Sequence, residues 1–518
     1  MIQRATQSPD YWTQKFTVQT DDLDYLLNLF LDDELPRTAD ELALELVRYR
    51  CQREEAALSR ELIKGILYQP KDSYSPGQQI VFPALQFAVG KVLAVRNGVN
   101  PEIGPFKVMR VEMGDGRTRD FAAEYPVPHH LNIDSHLAQE QSLLSPEEIF
   151  SRHSKLVVEQ LAHKLEQTPD LVSIAGKWFP RGLIPDMNVG HLNLAEAVLD
   201  MNGGGPLPTE SLLKDIGLPS QINRPLQTFS LNYALYKDER FDEVGPAGEV
   251  MWFLRRLEPP EVLYQPPRLI AVDVPYDRSR LDPPLLRIER EIDDELSNIP
   301  APDEAIDELT FVLTYPHRRV GTLPLSPRIA KLFPTGRTPR IRFMFEDART
   351  GQRWPGWVVR EHRYAFGLDT WYEANEVPAG AYVEIRRSRE PGVIEIDLQG
   401  RRPKREWVRV AQVKDRRITF EMLKKQIACD YDEQMILAVD RPAEFDEAWL
   451  RAENRSLRDW IGDIFPELAK LSPQGTVHAK TLYTAVNAVR RIAPGPLFAE
   501  WSVHPAVRMV GDGYAIVR

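Results

Sequence analysis

The chain has 518 residues, 43% hydrophobic and 27% charged, the proportions of ordinary globular protein, and that length requires several cores rather than one. No apolar run reaches the ~18 residues of a membrane-spanning helix, residues 1–7 lack a secretory apolar core, and Cys51 and Cys429 form neither a metal spacing nor a disulfide framework, so a soluble cytoplasmic protein without a membrane partner is expected. The net charge of −11 weighs against a nucleic-acid binder taken whole, yet between Leu309 and Arg417 22 Lys and Arg stand against 12 Asp and Glu, which embeds a basic module in an acidic chain.

In chain order, residues 20–70 read as a helical, helix-turn-helix-like segment. Leu23, Leu26, Leu27, Phe30 and Leu31 recur at helical spacing, and Leu35 to Thr38 stops that helix. Thr38 with Glu41 makes a capping box for a helix over 39–50, and a third helix runs through Leu58, Leu62 and Ile66. Residues 74–124 read as a small barrel of short strands, 79–82, 88–96, 106–112 and 118–122, with turns at Gly77, Gly98, Gly104 and Gly116. A winged-helix-like segment (145–190) opens on the strong helix start Ser145-Pro-Glu-Glu148, and a winged helix (191–257) follows. Pro259-Pro260, Pro266-Pro267, Pro283-Pro284 and Pro300 to Pro302 mark 258–308 as an acidic linker, with one amphipathic stretch over 286–296. Residues 309–417 read as all β, with strands 310–315, 321–325, 340–346, 354–360, 381–387 and 392–398, a hairpin loop at 347–351 and a helical turn within 327–333. The remainder returns to helices over 445–471 and 477–491, in a last domain over 440–518.

One phrase is written three times, at Leu171 to Phe179, Phe241 to Phe253 and Val507 to Ile516. Each is an apolar residue, a Gly-bearing turn and an aromatic strand after a helix, the outline of a winged helix. In the middle copy the helix before the flap offers Gln227, Thr228, Ser230 and Asn232 but no cation. Its wing carries Asp238 to Glu243, which repels phosphate, so that unit is expected to pack or to dock a partner.

The arginines carry the functional signal. Arg318, Arg319, Arg337, Arg340, Arg342, Arg349, Arg353, Arg360, Arg363, Arg386, Arg387 and Arg389 fall on the strands and turns of the basic module, interleaved with Trp354, Trp357, Trp371 and Tyr372. Arg forks onto phosphate and guanine edges as Lys cannot; a solvated basic barrel with an aromatic core gives the same composition. The runs Thr322 to Pro327, Arg340 to Phe343, Phe366 to Trp371 and Val377 to Ile385 resemble the DNA-binding pseudobarrel of plant transcription factors. Trp371, Asn375, Val377 and Gly380 match its Trp…Asn…Leu-x-x-Gly-Asp segment, and Ala381 stands in place of the Asp. That resemblance implies a curved β-surface set in the major groove. Bacterial relatives of that family include recognition domains of restriction enzymes.

Val477 to Asn487, with Phe498 and Val507 to Tyr514, resembles the HARE winged-helix family. That resemblance implies nucleic-acid or transcription-complex binding, and Lys480, Thr484, Asn487, Arg490 and Arg491 lie near one helix face that can track a backbone. The same arginines equally suit a helix C-terminus. The barrel at 74–124 resembles KOW and Tudor barrels in outline. His129-His130 and Asp430 to Asp432 lack metal-spaced partners, and Gly203 to Gly205 follows a helix without the Lys-Ser/Thr of a phosphate loop. No catalytic set, cofactor or metal is expected. The reading is a multi-domain α+β protein of winged-helix units, an SH3-like barrel and a β-pseudobarrel. Its expected function is non-enzymatic binding of double-stranded DNA as a bacterial transcription-associated or architectural factor. The alternatives are a scaffold that docks RNA polymerase or another protein, and the recognition subunit of a restriction or defence system.

Overall fold

A computed structural model describes residues 4–100, 104–132, 143–297, 299–301, 303–415, 417–450 and 455–518. The chain divides into two units, Met1–Asn188 with Gly217–Ala234, and Val189–Ile216 with Leu235–Arg518.

In the first unit, α1 (Thr20–Asp33) leads into β1 (Arg37–Thr38) and α2 (Ala39–Leu62). The capping box forms as the sequence predicts: the Glu41 amide donates to Thr38 Oγ1 at 3.2 Å and the Thr38 amide to Glu41 Oε2 at 2.7 Å. The two expected helices over 39–66 are one, because no Gly or Pro interrupts the run from Ala39 to Leu62. A five-stranded sheet follows, made of β2 (Ile66–Leu67), β3 (Gln79–Phe82), β4 (Ala88–Asn97), β5 (Lys107–Met113) and β6 (Thr118–Ala123), joined in chain order. Its own core includes Tyr68, Ile80, Phe82, Val92, Met109 and Val111. Then come α3 (Pro146–Glu166), β7 (Leu171–Ile174) and β8 (Lys177–Pro180).

β1 pairs with β8, Arg37 opposite Trp178, in a sheet ordered β1-β8-β7. Leu26, Phe30, Leu42, Leu46, Val157, Leu161 and Phe179 share one core. The segments 20–70 and 145–190, expected as separate domains, therefore build one helical body, and the barrel segment is inserted between α2 and α3.

In chain order the pattern then repeats with α4 (Val189–Met201), β9 (Leu207–Pro208), α5 (Thr209–Asp215), α6 (Arg224–Lys237, within which the two units divide), β10 (Phe241–Glu243) and β11 (Met251–Leu254). Gly203, Gly204 and Gly205 all have positive φ, and a Cβ on Gly205 would lie 2.6 Å from the Trp252 carbonyl oxygen. That glycine run reverses the chain between α4 and β9.

The segment 258–308 is not a loose linker among its described residues; Pro302 lies outside them. Its prolines open helical turns: Pro260 begins α7 (Pro260–Leu263), Pro267 a 3₁₀ turn, and Pro283 begins α8 (Pro283–Ile292). Proline at a first helical position loses no hydrogen bond and presets φ. Asp282 caps α8, and Leu285, Ile288 and Ile292 enter the same core as Phe498 and Trp501.

The basic module is a seven-stranded, curled half-barrel sheet in the order β12-β17-β18-β14-β15-β16-β13. Its elements are β12 (Glu308–Val312), α9 (Tyr315–Arg319), β13 (Thr322–Pro324), β14 (Arg340–Asp347), β15 (Arg353–Val359), β16 (Tyr364–Phe366), α10 (Asp369–Ala374), β17 (Tyr382–Arg387) and β18 (Val393–Leu398). β14 shows the period-two pattern: Ile341, Phe343 and Phe345 are buried, while Arg340, Arg342, Met344 and Glu346 alternate with them.

β19 (Lys404–Lys414) and β20 (Arg417–Ile427) then form a long hairpin, with β21 (Leu437–Val439) parallel to β19. A module boundary at Arg417 cuts this hairpin. The chain closes with α11 (Pro442–Leu450), α12 (Leu457–Ala469), β22 (Thr476–His478), α13 (Ala479–Asn487), α14 (Pro494–Val503), β23 (Val507–Gly511) and β24 (Tyr514–Val517). Within the helix expected over 445–471, residues 451–454 lie outside the described ones. In three of the four three-stranded sheets the short strand before a helix pairs with the second strand of the flap: β1 with β8, β9 with β11 and β22 with β24.

Candidate nucleic-acid interface

Most of the expected arginines are engaged within the second unit. On α9, Arg318 Nε donates to the Val377 carbonyl at 2.6 Å, and its guanidinium lies 5.6 Å from the Tyr372 ring centre. Burial lowers its pKa. Arg319 meets Asp446 at 2.7 Å.

The acidic wing of the middle unit takes up the next pair. Arg337 reaches Glu243 at 3.4 Å, and Arg340 pairs with Asp242 and with Glu258 at 3.3 Å. Desolvation, and then the Asp242 charge, push the Glu258 carboxyl upward. Arg342 donates to the Gly205 carbonyl at 2.8 Å and covers the Phe253 ring at 4.7 Å.

Arg353 sits between Glu346 and Glu390, at 2.5 and 2.7 Å, and Arg386 meets Glu395 at 2.6 Å. Arg387 donates to the Lys331 carbonyl at 2.7 Å and faces Asp307 at 3.4 Å. Arg360 and Arg363 are exposed and hydrogen-bond carbonyls of Gly336 and Glu295. Only Arg349 and Arg389 of the expected set are exposed with neither an ion pair nor a side-chain hydrogen bond among the described residues.

The terminal helix is turned inward. Thr484, Asn487 and Arg491 are buried. Arg491 binds Asp294 at 2.8 Å and Glu295 at 2.6 Å, and donates to Asn487 Oδ1 at 2.9 Å. Burial favours the neutral Glu295 carboxyl, but Arg491 and His317 beside it outweigh that and hold it well below the carboxylate range. Lys480 bridges Asp432 at 2.9 Å and Glu291 at 3.0 Å, and Arg490 is half-buried. The backbone-tracking face expected from Lys480, Thr484, Asn487, Arg490 and Arg491 is therefore not presented to solvent. The carboxylates that take it up come from the segment read as a linker and from the loop after β20.

The uncompensated charge lies at the open end of the β19–β20 hairpin. Trp407 is 57% exposed, and its cross-strand partner Lys424 holds its ammonium 5.2 Å from the ring centre. Arg405 stands two residues before Trp407 on the same face, opposite Gln426. Arg402, Arg405, Lys424 and Lys425 are exposed and make no ion pair among the described residues. Lys404 lies 3.7 Å from Asp430. Arg409, further along the strand, is half-buried and donates to the Ile436 carbonyl at 3.1 Å, and desolvation lowers its pKa to about 10. The sequence signal for this patch is the run Arg401-Arg-Pro-Lys-Arg-Glu-Trp407 with Lys424-Lys425. A boundary at Arg417 separates these two runs, which the hairpin brings side by side.

No cluster of His, Cys, Asp and Glu among the described residues can hold a metal ion, and none of their helices is long and apolar enough to cross a membrane. Burial raises the Cys429 thiol to about 11. No protein-family model, curated protein or solved structure matches the chain.

Proposed function

We propose that this chain binds double-stranded DNA without catalysis, as a transcription-associated or architectural factor, and that the open end of the β19–β20 hairpin carries the main contact. The observation that supports this most is the exposed Trp407 under the Lys424 ammonium, with Arg405 on the same face and Arg402 exposed just before the strand. An exposed aromatic ring costs solvation unless something covers it, and cations left without internal partners are available to phosphate. Arg349 and Arg389 extend the positive surface onto the curled sheet, whose half-barrel form supports the pseudobarrel reading.

The repeated helix–strand–helix–helix–flap order fits winged-helix units. In the middle and terminal copies the charged groups serve intramolecular pairing, so those units are read as packing or docking modules. The rival reading is an acidic protein on the basic patch. Anisotropy of a labelled duplex titrated with the full chain, followed by competition with unlabelled duplex or poly-glutamate, separates the two. Displacement by duplex alone is expected. Displacement by poly-glutamate at equal charge, or no duplex binding at low salt, rejects the DNA reading.

A further inference from the structure

A pocket of about 500 Å³ opens on the curled sheet beside the β14–β15 loop and α10. That size falls within the ~300–1,000 Å³ of small-molecule sites. Its walls are Trp354, Trp357, Phe366 and Trp371. Two of the indoles are locked by their own hydrogen bonds: Trp354 Nε1 donates to the Gly367 carbonyl and Trp371 Nε1 to Asp347 Oδ2, each at 2.7 Å. Trp371 is a core residue, and Trp354 is half-buried with its other side stacked on Phe345, so both rings are held in place.

At the mouth stand Gln352, Asp369 and Thr370, exposed side chains that make no hydrogen bond among the described residues. Together they offer both donors and acceptors. Arg349, exposed and without an ion pair among the described residues, is also at the rim. On the far side, Asn375 Oδ1 accepts from Arg401 Nη1 at 3.0 Å, which ties the pocket to the start of the basic run that feeds the hairpin.

From this geometry we infer that the pocket receives one nucleobase swung out of a bound strand, packed against the half-buried Trp354 and Phe366, with its polar edge toward Gln352, Asp369 and Thr370 and its phosphate toward Arg349. The inference rests on the nucleic-acid reading above. Flat aromatic walls serve any base through its π-face, polar groups at the mouth read its edge, and a cation at the rim holds the backbone that must rotate. None of the four walls or the rim arginine is needed for the hairpin contact.

Extrusion costs least where pairing is already broken. The full chain is titrated with three labelled duplexes: perfectly paired, carrying one mismatch, and carrying an abasic site in place of the mismatched base. The mismatched duplex is expected to bind about tenfold tighter than the paired one. The abasic duplex, which is as easily bent but has no base to stack, is expected to lose that gain. Thr370→Trp, at an exposed mouth position, is expected to abolish the preference while leaving affinity for the paired duplex unchanged. Equal affinity for all three duplexes overturns the pocket and leaves the DNA reading standing; so does an abasic duplex as tight as the mismatched one. No binding to any duplex overturns both. Quenching of protein tryptophan by a free nucleoside, without a mismatch preference, assigns the pocket to a free nucleotide and overturns the extruded base.

Discussion

Arg491 shows how much a single side chain can change a functional reading. In sequence it is a cation near the end of a helix, equally suited to phosphate and to a helix dipole. In the fold it is 1% exposed and paired with Asp294 and Glu295, with His317 completing the cluster at 3.2 Å from Glu295. Removing one partner from such a cluster leaves the others charged and buried, which costs about 3–5 kcal/mol. Arg491→Ala is therefore expected to lower unfolding free energy by that amount in urea melts of the full chain, whereas Arg405→Ala, on the exposed hairpin, is expected to leave stability within about 0.5 kcal/mol. Equal stabilities for the two variants would contradict the interior role. Nothing in the local sequence separates these two arginines. What separates them is the placement of Asp294 and Glu295, nearly two hundred positions away in the chain.

Elements divide into those fixed by local chemistry and those decided by distant packing. The capping box at Thr38, the helix start at Ser145, the flaps and six of the seven strands of the curled sheet were legible, because caps, turns and period-two alternation are local signals, whereas the three-residue β16 was not. The short strands β1, β9 and β22 were not, because two or three residues carry no period of their own and exist only through the flap strand they join. The prolines of 258–308 misled for a related reason: proline excludes a helix interior but favours its first turn, and only the buried Leu285, Ile288 and Ile292 show which applies. The site was half legible. The basic module stood out by charge, but which of its cations lack carboxylate partners depends on cross-sheet and cross-segment pairing.

α13 carries its own titration. His478 caps it, with Nδ1 accepting from the Lys480 amide at 3.2 Å, and its ring meets Tyr514 edge-on at 4.7 Å. Burial, reinforced by the Lys480 charge against the weaker opposing Asp432 and Glu291, lowers its pKa from 6.5 to about 4. Between those values the unfolded chain binds a proton that the folded chain refuses, so stability present above pH 6.5 is lost as pH falls toward 4. His478→Asn keeps a capping oxygen without the titration. Its unfolding free energy is expected to fall less than that of the wild type across that window; parallel pH profiles would show that His478 contributes nothing there.

At the scale of the whole molecule, an acidic chain keeps a basic surface by consuming most of its arginines internally. Asp242, Glu243, Glu258, Glu346, Glu395 and Asp446 each hold an arginine of the curled-sheet module. The hairpin end is exempt, which concentrates the available charge around Trp407. Binding there should release counterions in proportion to the phosphates met, with a slope near −0.9 per contact in log affinity against log salt. The most direct test is that slope, measured by duplex anisotropy for the full wild-type chain and for the double variant Arg405→Ala with Lys424→Ala. The account predicts salt-weakened binding whose slope becomes shallower by about 2 in the variant. Unchanged affinity and slope in the variant would contradict the hairpin as the DNA contact.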